Sequence, residues 1–397
     1  MDRAVLKEEV REELEKNILP YWINKMQDEV NGGFYGRITG EEMLMPDAEK
    51  GAILNARILW TFSAAYRLLR KEEYLAMATR AKRYLIDHFY DKEFGGIYWS
   101  LDYKGNPLDT KKQIYAIGFA IYGLSEYHRA TGDVEALTYA IHLFESIEQH
   151  SFDPLNNGYC EALTREWGEI ADMRLSEKDE NERKTMNTHL HILEPYTNLY
   201  RVWKDDRLRH QLHNLVEIFI DKIWDPNTGH LNLFFDDNWN NKYHIISYGH
   251  DIEASWLIHE AALLLKDQKL LIKVEPVVKQ IAIAADEGLM SDGSMIYEFF
   301  TDKPSTDTDR HWWVQAENVV GHINLYQYFR DEDAYKKALN GWSFIKQYLV
   351  DEANGEWWWS ISVDGKVNRG DDKAGFWKCP YHNGRMCMEI IERNFSE

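Results

Sequence analysis

Two short stretches, "HLHILE" and "YGHDIE", each place a glutamate three residues after a histidine: His191 with Glu194, and His250 with Glu253. On a helix such residues share a face, so each pair could clamp a metal ion, as imidazole and carboxylate do in carboxylate-bridged helical bundles. The same groups could instead move protons, because an imidazole changes charge near neutral pH. Both readings compete with a plain one, in which the pairs are polar trim on a core helix.

Further reactive side chains recur along the chain. Arg57 stands in "ILNARILW", Tyr115 in "QIYAIG", Asn187 in "MNTH", Trp312, Trp313 and Glu317 in "HWWVQAE", Trp377 in "FWKCP", and His382, Asn383 and Arg385 in "YHNGR". Any one helical histidine is ordinarily a packed or surface residue. Arg57 is harder to dismiss, since a guanidinium inside an apolar run is costly without a carboxylate or an anionic ligand. Its plain explanation is an ion pair with Glu253 or Glu317, which would still bring those carboxylates to the same place. Pro195, directly after Glu194, denies the carbonyl of His191 its helical donor and can kink the helix there.

The residue types weigh the chemistries against each other. A positive guanidinium beside a metal ion would oppose cation binding. A glycosidase needs two opposed carboxylates as its principal pair, which leaves three histidines little to do. Histidines that titrate near working pH, with an arginine to hold a developing oxyanion, suit proton abstraction next to a carbonyl.

Those side chains need elements that bring them together. Gly-plus-aromatic segments, "NGGFYG", "FGGIYW", "NNGYCE", "TGHLNLFF", "DGSMIYEFF" and "NGEWWWS", recur with Gly33, Gly96, Gly158, Gly229, Gly293 and Gly355 spaced 62 to 71 residues apart. That period suits a two-helix unit with a decorated loop. An amphipathic segment leads into each loop, as in "EEYLAMATRAKRYLIDHFYD", where Tyr74, Ala78, Ala81, Leu85 and Phe89 fall at helical spacing. A more apolar segment follows each loop, as in "GAILNARILWTFSAAYRLL", the pattern of a helix buried on most sides. Six such pairs closing on themselves predict an all-α (α/α)6 barrel, one catalytic domain over residues 1–397. The loops read as short hairpins gathered at one end, and the reactive residues lie near the starts of the inner helices. One mouth would collect them all.

Composition narrows the partners. The formal charge of −20 and pI of about 5.2 would repel phosphate backbones and anionic lipid, so neither nucleic acid nor a membrane surface is expected. Tryptophan, tyrosine and phenylalanine make up 14% of the chain, enough to supply flat platforms for a neutral small molecule such as a sugar. Three scattered cysteines, Cys160, Cys379 and Cys387, offer neither a zinc spacing nor a disulfide framework. The charge-dense "MDRAVLKEEVREELEK" lacks the apolar stretch of a secretion signal, and a cytoplasmic location is expected.

Taken together, "ILNARILW", "MNTHLHILEPYT", "SYGHDIEASW", "WWVQAE" and "WKCPYHNGRMCME" resemble the cellobiose 2-epimerases of the N-acylglucosamine 2-epimerase superfamily, along nearly the whole chain. The resemblance implies reversible C2 epimerisation of the reducing-end glucose of β-1,4-linked disaccharides, cellobiose to glucosyl-mannose and lactose to epilactose, with no metal or nucleotide cofactor. It implies that His382 and His250 remove and return the C2 proton, that His191 and Arg57 act around O1 and the enediolate, and that Glu253 orients His250. Asn187, Tyr115 and Trp312 would line the reducing-end subsite, Glu317 would also bind substrate, and Trp377 would stack on the second sugar. A monomer or weak homo-oligomer is expected. Alternatives are action on free N-acylglucosamine, aldose–ketose isomerisation on the same fold, and, from another class, a catalytically silent sugar-binding barrel.

Overall fold

The computed structural model describes residues 2–301 and 305–394. Helices α1 (Arg3–Glu12) and α2 (Leu19–Lys25), joined through a π-helical turn, form the first outer helix. Inner and outer helices then alternate: α3 (Ala52–Leu69), α4 (Glu72–Tyr84), α5 (Ile114–Thr131), α6 (Val134–His150), α7 (Met186–Val202), α8 (Asp206–Ile218), α9 (Tyr248–Leu265), α10 (Gln268–Ala285), α11 (Trp312–Phe329), α12 (Glu332–Phe344) and α13 (Tyr381–Glu392). The inner helices pack in sequence order, and α13 returns to α3, which closes the ring. This is the predicted (α/α)6 barrel.

Burial separates the two layers. In α3 the first 14 of 18 residues are buried, whereas α4 buries a stripe through Tyr74, Met77, Ala78, Ala81 and Tyr84, together with Lys82. A helix surrounded by neighbours must be apolar nearly all round, and one that covers it needs only one apolar face.

The two kinds of connection differ for a local reason. Inner helices α3, α5, α9 and α11 end on left-handed residues, Arg70, Gly132, Lys266 and Arg330. Outer helices α6, α8, α10 and α12 begin on Asp133, Asp205, Asp267 and Asp331, whose side chains cap the first backbone amides. Left-handed stop and aspartate start follow one another within a few residues, so inner-to-outer turns are tight. Outer-to-inner connections are long and carry the extra structure. Each contains a turn in which the marker glycine, from Gly33 to Gly355, has a positive φ that other residues resist.

Short antiparallel ladders bind these loops into a girdle. Lys50–Gly51 pairs with Ser100–Leu101, Lys112–Gln113 with Ala162–Leu163, Lys184–Thr185 with Phe234–Phe235, Ile245–Ser247 with Glu298–Phe300, and Arg310–His311 with Ser360–Ile361. The segment entering one inner helix thus pairs with the loop of the next unit, and an Ile38 to Ala374 bridge joins first to last. Ion pairs reinforce the girdle, buried at Asp28–Lys50 and Asp91–Lys112 and partly buried at Asp153–Lys184, each 2.8 Å. The three cysteines are buried and unpaired, and among the described residues no helix is long and apolar enough to cross a membrane.

Candidate active site

At the girdled end the six inner helices bring their first two turns together, and three imidazoles lie there in different settings. His191 on α7 meets Glu194, one turn further on, at 2.8 Å through Nδ1. His382 on α13 meets Glu317 of α11 at 2.7 Å, also through Nδ1. Among the described residues no carboxylate bonds His250 on α9; its Nδ1 lies 2.8 Å from the hydroxyl of Ser247. With Nδ1 engaged in every case, Nε2 is the ring nitrogen left for a ligand.

Burial holds all three rings neutral. It drives His382 down to about 3, with Arg57 and Arg385 adding to the effect and Glu317 opposing it. His191 lies below its ordinary value, again mainly through burial against the pull of Glu194. His250 is lowered by burial and by the two neighbouring histidines, although part of its surface stays open. Neutral imidazoles can accept protons from a weak carbon acid.

The carboxylates behind the rings answer to Arg385, which is fully buried. Its Nη2 donates to Glu317 Oε1 at 2.6 Å and to Glu253 Oε1 at 2.7 Å, while its Nη1 donates to Glu194 at close range. Burial alone would raise Glu194 and Glu317, but the guanidinium and the paired histidines hold both below the usual carboxylate range, Glu317 at about 2. Glu253 goes the other way: burial and repulsion from Glu317 push it well up. Glu253, Glu317 and His382 hold donor atoms within 4.8 Å of one another, close enough to share a metal ion. Arg385 already supplies a positive charge between the two carboxylates, and this opposes a cation there.

Arg57 is buried differently. Its Nη2 donates to the Tyr115 hydroxyl at 2.7 Å and its Nη1 to the Trp377 carbonyl at 3.3 Å, with Cys379 Sγ at 3.9 Å. Its plane lies against Phe119 and Tyr381, at 4.2 and 4.7 Å, and its Nε has no hydrogen-bond partner. Among the described residues no carboxylate pairs with it, so the ion pair with Glu253 or Glu317 is absent, and Arg385 occupies that place.

Aromatic rings wall the space. Trp313 lies 4.8 Å from His250 and 5.6 Å from His382. Trp312 packs 4.6 Å from Trp359, and its Nε1 lacks a hydrogen-bond partner. Trp377 is half-buried beside Tyr115, whose ring lies 4.8 Å from His191. Asn187 sits one helical turn before His191, half-buried, with Oδ1 unpartnered. The expected residues therefore gather at one mouth.

Two expected roles need correction. Glu253 does not orient His250: its bonded oxygen belongs to Arg385, and Ser247 holds the ring. A permanent guanidinium outcompetes a neutral imidazole for a buried carboxyl group. Glu317 does not face a sugar, because Oε1 is taken by His382 and Arg385, and Oε2 accepts from Trp256 Nε1 at 2.9 Å. Sequence reasoning missed Ser247 altogether. Its position three residues before His250, at the start of α9, was the available signal, since a serine there would ordinarily cap the helix. Tyr381, which donates to Glu194, was also missed and leaves no sequence signal beyond its place beside His382.

Comparison with known proteins adds to this geometry. Residues 33–384 match the N-acylglucosamine 2-epimerase (GlcNAc 2-epimerase) family. The chain is 69% identical to a cellobiose 2-epimerase of Bacteroides fragilis, over 98% of this chain and 99% of that one. It is 43% identical to one from Ruminococcus albus, over 97% and 98% of the two chains. The solved structure of cellobiose 2-epimerase from Bacillus thermoamylovorans superimposes with a TM-score of 0.94 at 43% identity, covering 98% of this chain and all of that one.

Proposed function

The chain belongs to the N-acylglucosamine 2-epimerase family, and we propose that it is a cellobiose 2-epimerase, inverting C2 of the reducing-end glucose of a β-1,4-linked disaccharide. Cellobiose gives glucosyl-mannose and lactose gives epilactose. The observation that carries this reading is a buried guanidinium without a carboxylate, Arg57, close enough to the lowered imidazoles of His191 and His382 to act on both. An unneutralised buried cation is destabilising by itself and becomes useful when an anion forms beside it.

The chemistry follows from the substrate. A closed aldose has no acidic proton at C2, so the ring opens first, with a histidine carrying the proton from O1 to O5. One imidazole then removes the C2 proton, and the electrons move onto O1 to give a planar enediolate. Arg57 stabilises that negative oxygen, with Tyr115 orienting the guanidinium. A proton delivered to the opposite face of C2 completes the inversion, and His382 and His250 serve as the two proton carriers. Trp313 touches both rings and keeps water from the carbanion. Trp377 is the platform for the second sugar, because it is half-exposed at the mouth and offers a flat apolar face.

Incubating the protein with cellobiose, lactose, mannose and N-acetylmannosamine, followed by chromatography, tests the assignment. Glucosyl-mannose and epilactose are the expected products; ketose formation or turnover of N-acetylmannosamine alone would replace it. In heavy water the product carries deuterium at C2, whereas a binding protein exchanges nothing. His382→Ala and His250→Ala each lower kcat by at least about 100-fold while the circular-dichroism melt is retained. Activity close to that of the parent in either variant removes that histidine from the mechanism.

A further inference from the structure

His191 and His382 are held by carboxylates from different helices, Glu194 on α7 and Glu317 on α11, and both carboxylates converge on one side chain of α13. Arg385 uses the two sides of its planar fork for the two pairs, Nη1 toward Glu194 and the Tyr381 hydroxyl, Nη2 toward Glu317 and Glu253. The ring of Trp256 lies 4.8 Å from it, and no part of it reaches solvent. Among the described residues it forms no hydrogen bond to a histidine.

We infer that Arg385 is a positioning residue that couples two of the proton-handling histidines: by holding Glu194 and Glu317 in one rigid fork, it sets the Nδ1 partners of His191 and His382 together. This rests on the proton-transfer reading above. Imidazoles that act on neighbouring atoms of one sugar, His382 at C2 and His191 at O1, must keep their Nε2 atoms in a shared register, and independent glutamates on different helices would not supply it. A guanidinium does, since its donors lie in one plane at fixed angles; an ammonium is a single point that cannot bond both sides.

Charge points the same way. Facing Arg385 are Glu194 and His191 from α7, Glu253 from α9, Glu317 from α11, Tyr122 from α5, and Tyr381 and His382 from its own helix. Glu194 and Glu317 both bond Arg385, while burial and repulsion from Glu317 push Glu253 up. Removing the Arg385 charge leaves this buried centre with an excess negative charge, so it binds its protons more tightly. The free base then appears only at higher pH.

Arg385→Lys and Arg385→Gln separate geometry from charge when kcat, KM and the melt are measured from acid to mild alkali on cellobiose. In both, kcat falls by about tenfold or more and KM stays within about twofold, because the residue does not touch the sugar. In Arg385→Gln the acid limb of kcat/KM also moves up by about one pH unit or more, whereas lysine keeps it near the parent position. A profile in the glutamine variant that superimposes on the parent after scaling, or a raised KM with kcat kept, overturns the inference. If the glutamine variant does not fold, the lysine variant decides: a kcat within about twofold of the parent rejects the coupling, and a tenfold loss at constant KM upholds it. A parent protein that neither epimerises cellobiose nor exchanges deuterium at C2 would instead refute the proposed function.

Discussion

A base that must accept a proton from carbon works only while it is neutral. His382, held at about 3 by burial and by two guanidinium groups, loses that ability only in acid. Activity is present above the lowered value and is lost as pH falls through it, well below the ordinary 6.5 of an imidazole. We expect kcat/KM at pH about 6 to stay within about twofold of its value at pH about 7.5. An acid limb centred near 6.5 would show that the rings titrate as solvated histidines do. Ser247 offers a second test at this scale. Its hydroxyl lies against His250 and makes no cap bond to α9, so Ser247→Ala should leave the melt nearly unchanged. It frees the His250 ring to rotate and to change tautomer, and kcat should fall by roughly tenfold; an unaltered kcat would mean that Trp313 packing alone fixes the ring.

Among the elements, the contact between α5 and α7 sets where His191 stands. Pro195 inside α7 cannot donate to the carbonyl of His191, and the freed oxygen is met by Gly118 of α5. A Cβ built on Gly118 would lie 2.3 Å from that oxygen. Alanine in place of glycine gains about 1 kcal/mol of helix propensity, but a backbone oxygen cannot swing aside. The overlap wins: Gly118→Ala should lower unfolding free energy by about 1–3 kcal/mol in urea titration. Because α7 must shift to relieve it, His191 moves as well and kcat falls with stability. A stabilised variant with full activity would place the α5–α7 contact outside the site's control.

For the whole molecule, closure depends on the loops that join consecutive units. Lys50 and Asp28 are both fully buried and lie 2.8 Å apart, with the lysine also bonded to the carbonyl of Gly32. Lys50→Met leaves the Asp28 carboxylate buried without its cation, which costs about 3–5 kcal/mol. The melting temperature should drop accordingly, far more than for Lys16→Met, whose ion pair with Glu12 lies in solvent. Equal, small effects at both positions would mean that water reaches the Asp28 site.

The sequence alone determined the six helical pairs, their inner and outer order, and the end at which the reactive side chains collect. Apolar periodicity and the marker glycines are local signals, and each was sufficient in place. It also brought out most of the residues that gather at the mouth, which stand near the starts of inner helices, but not Ser247 or Tyr381. It could not decide who pairs with whom. His191–Glu194 and His250–Glu253 have the same spacing, yet the first pair closes at 2.8 Å and the second does not. Helical spacing only permits a contact; the contact that forms is the one of lowest energy among all neighbours. For Glu253 that neighbour is Arg385, 132 residues away along the chain and 2.7 Å away in space. Only tertiary structure brings that guanidinium to three carboxyl groups, and so only tertiary structure assigns Glu317 to His382 and Ser247 to His250.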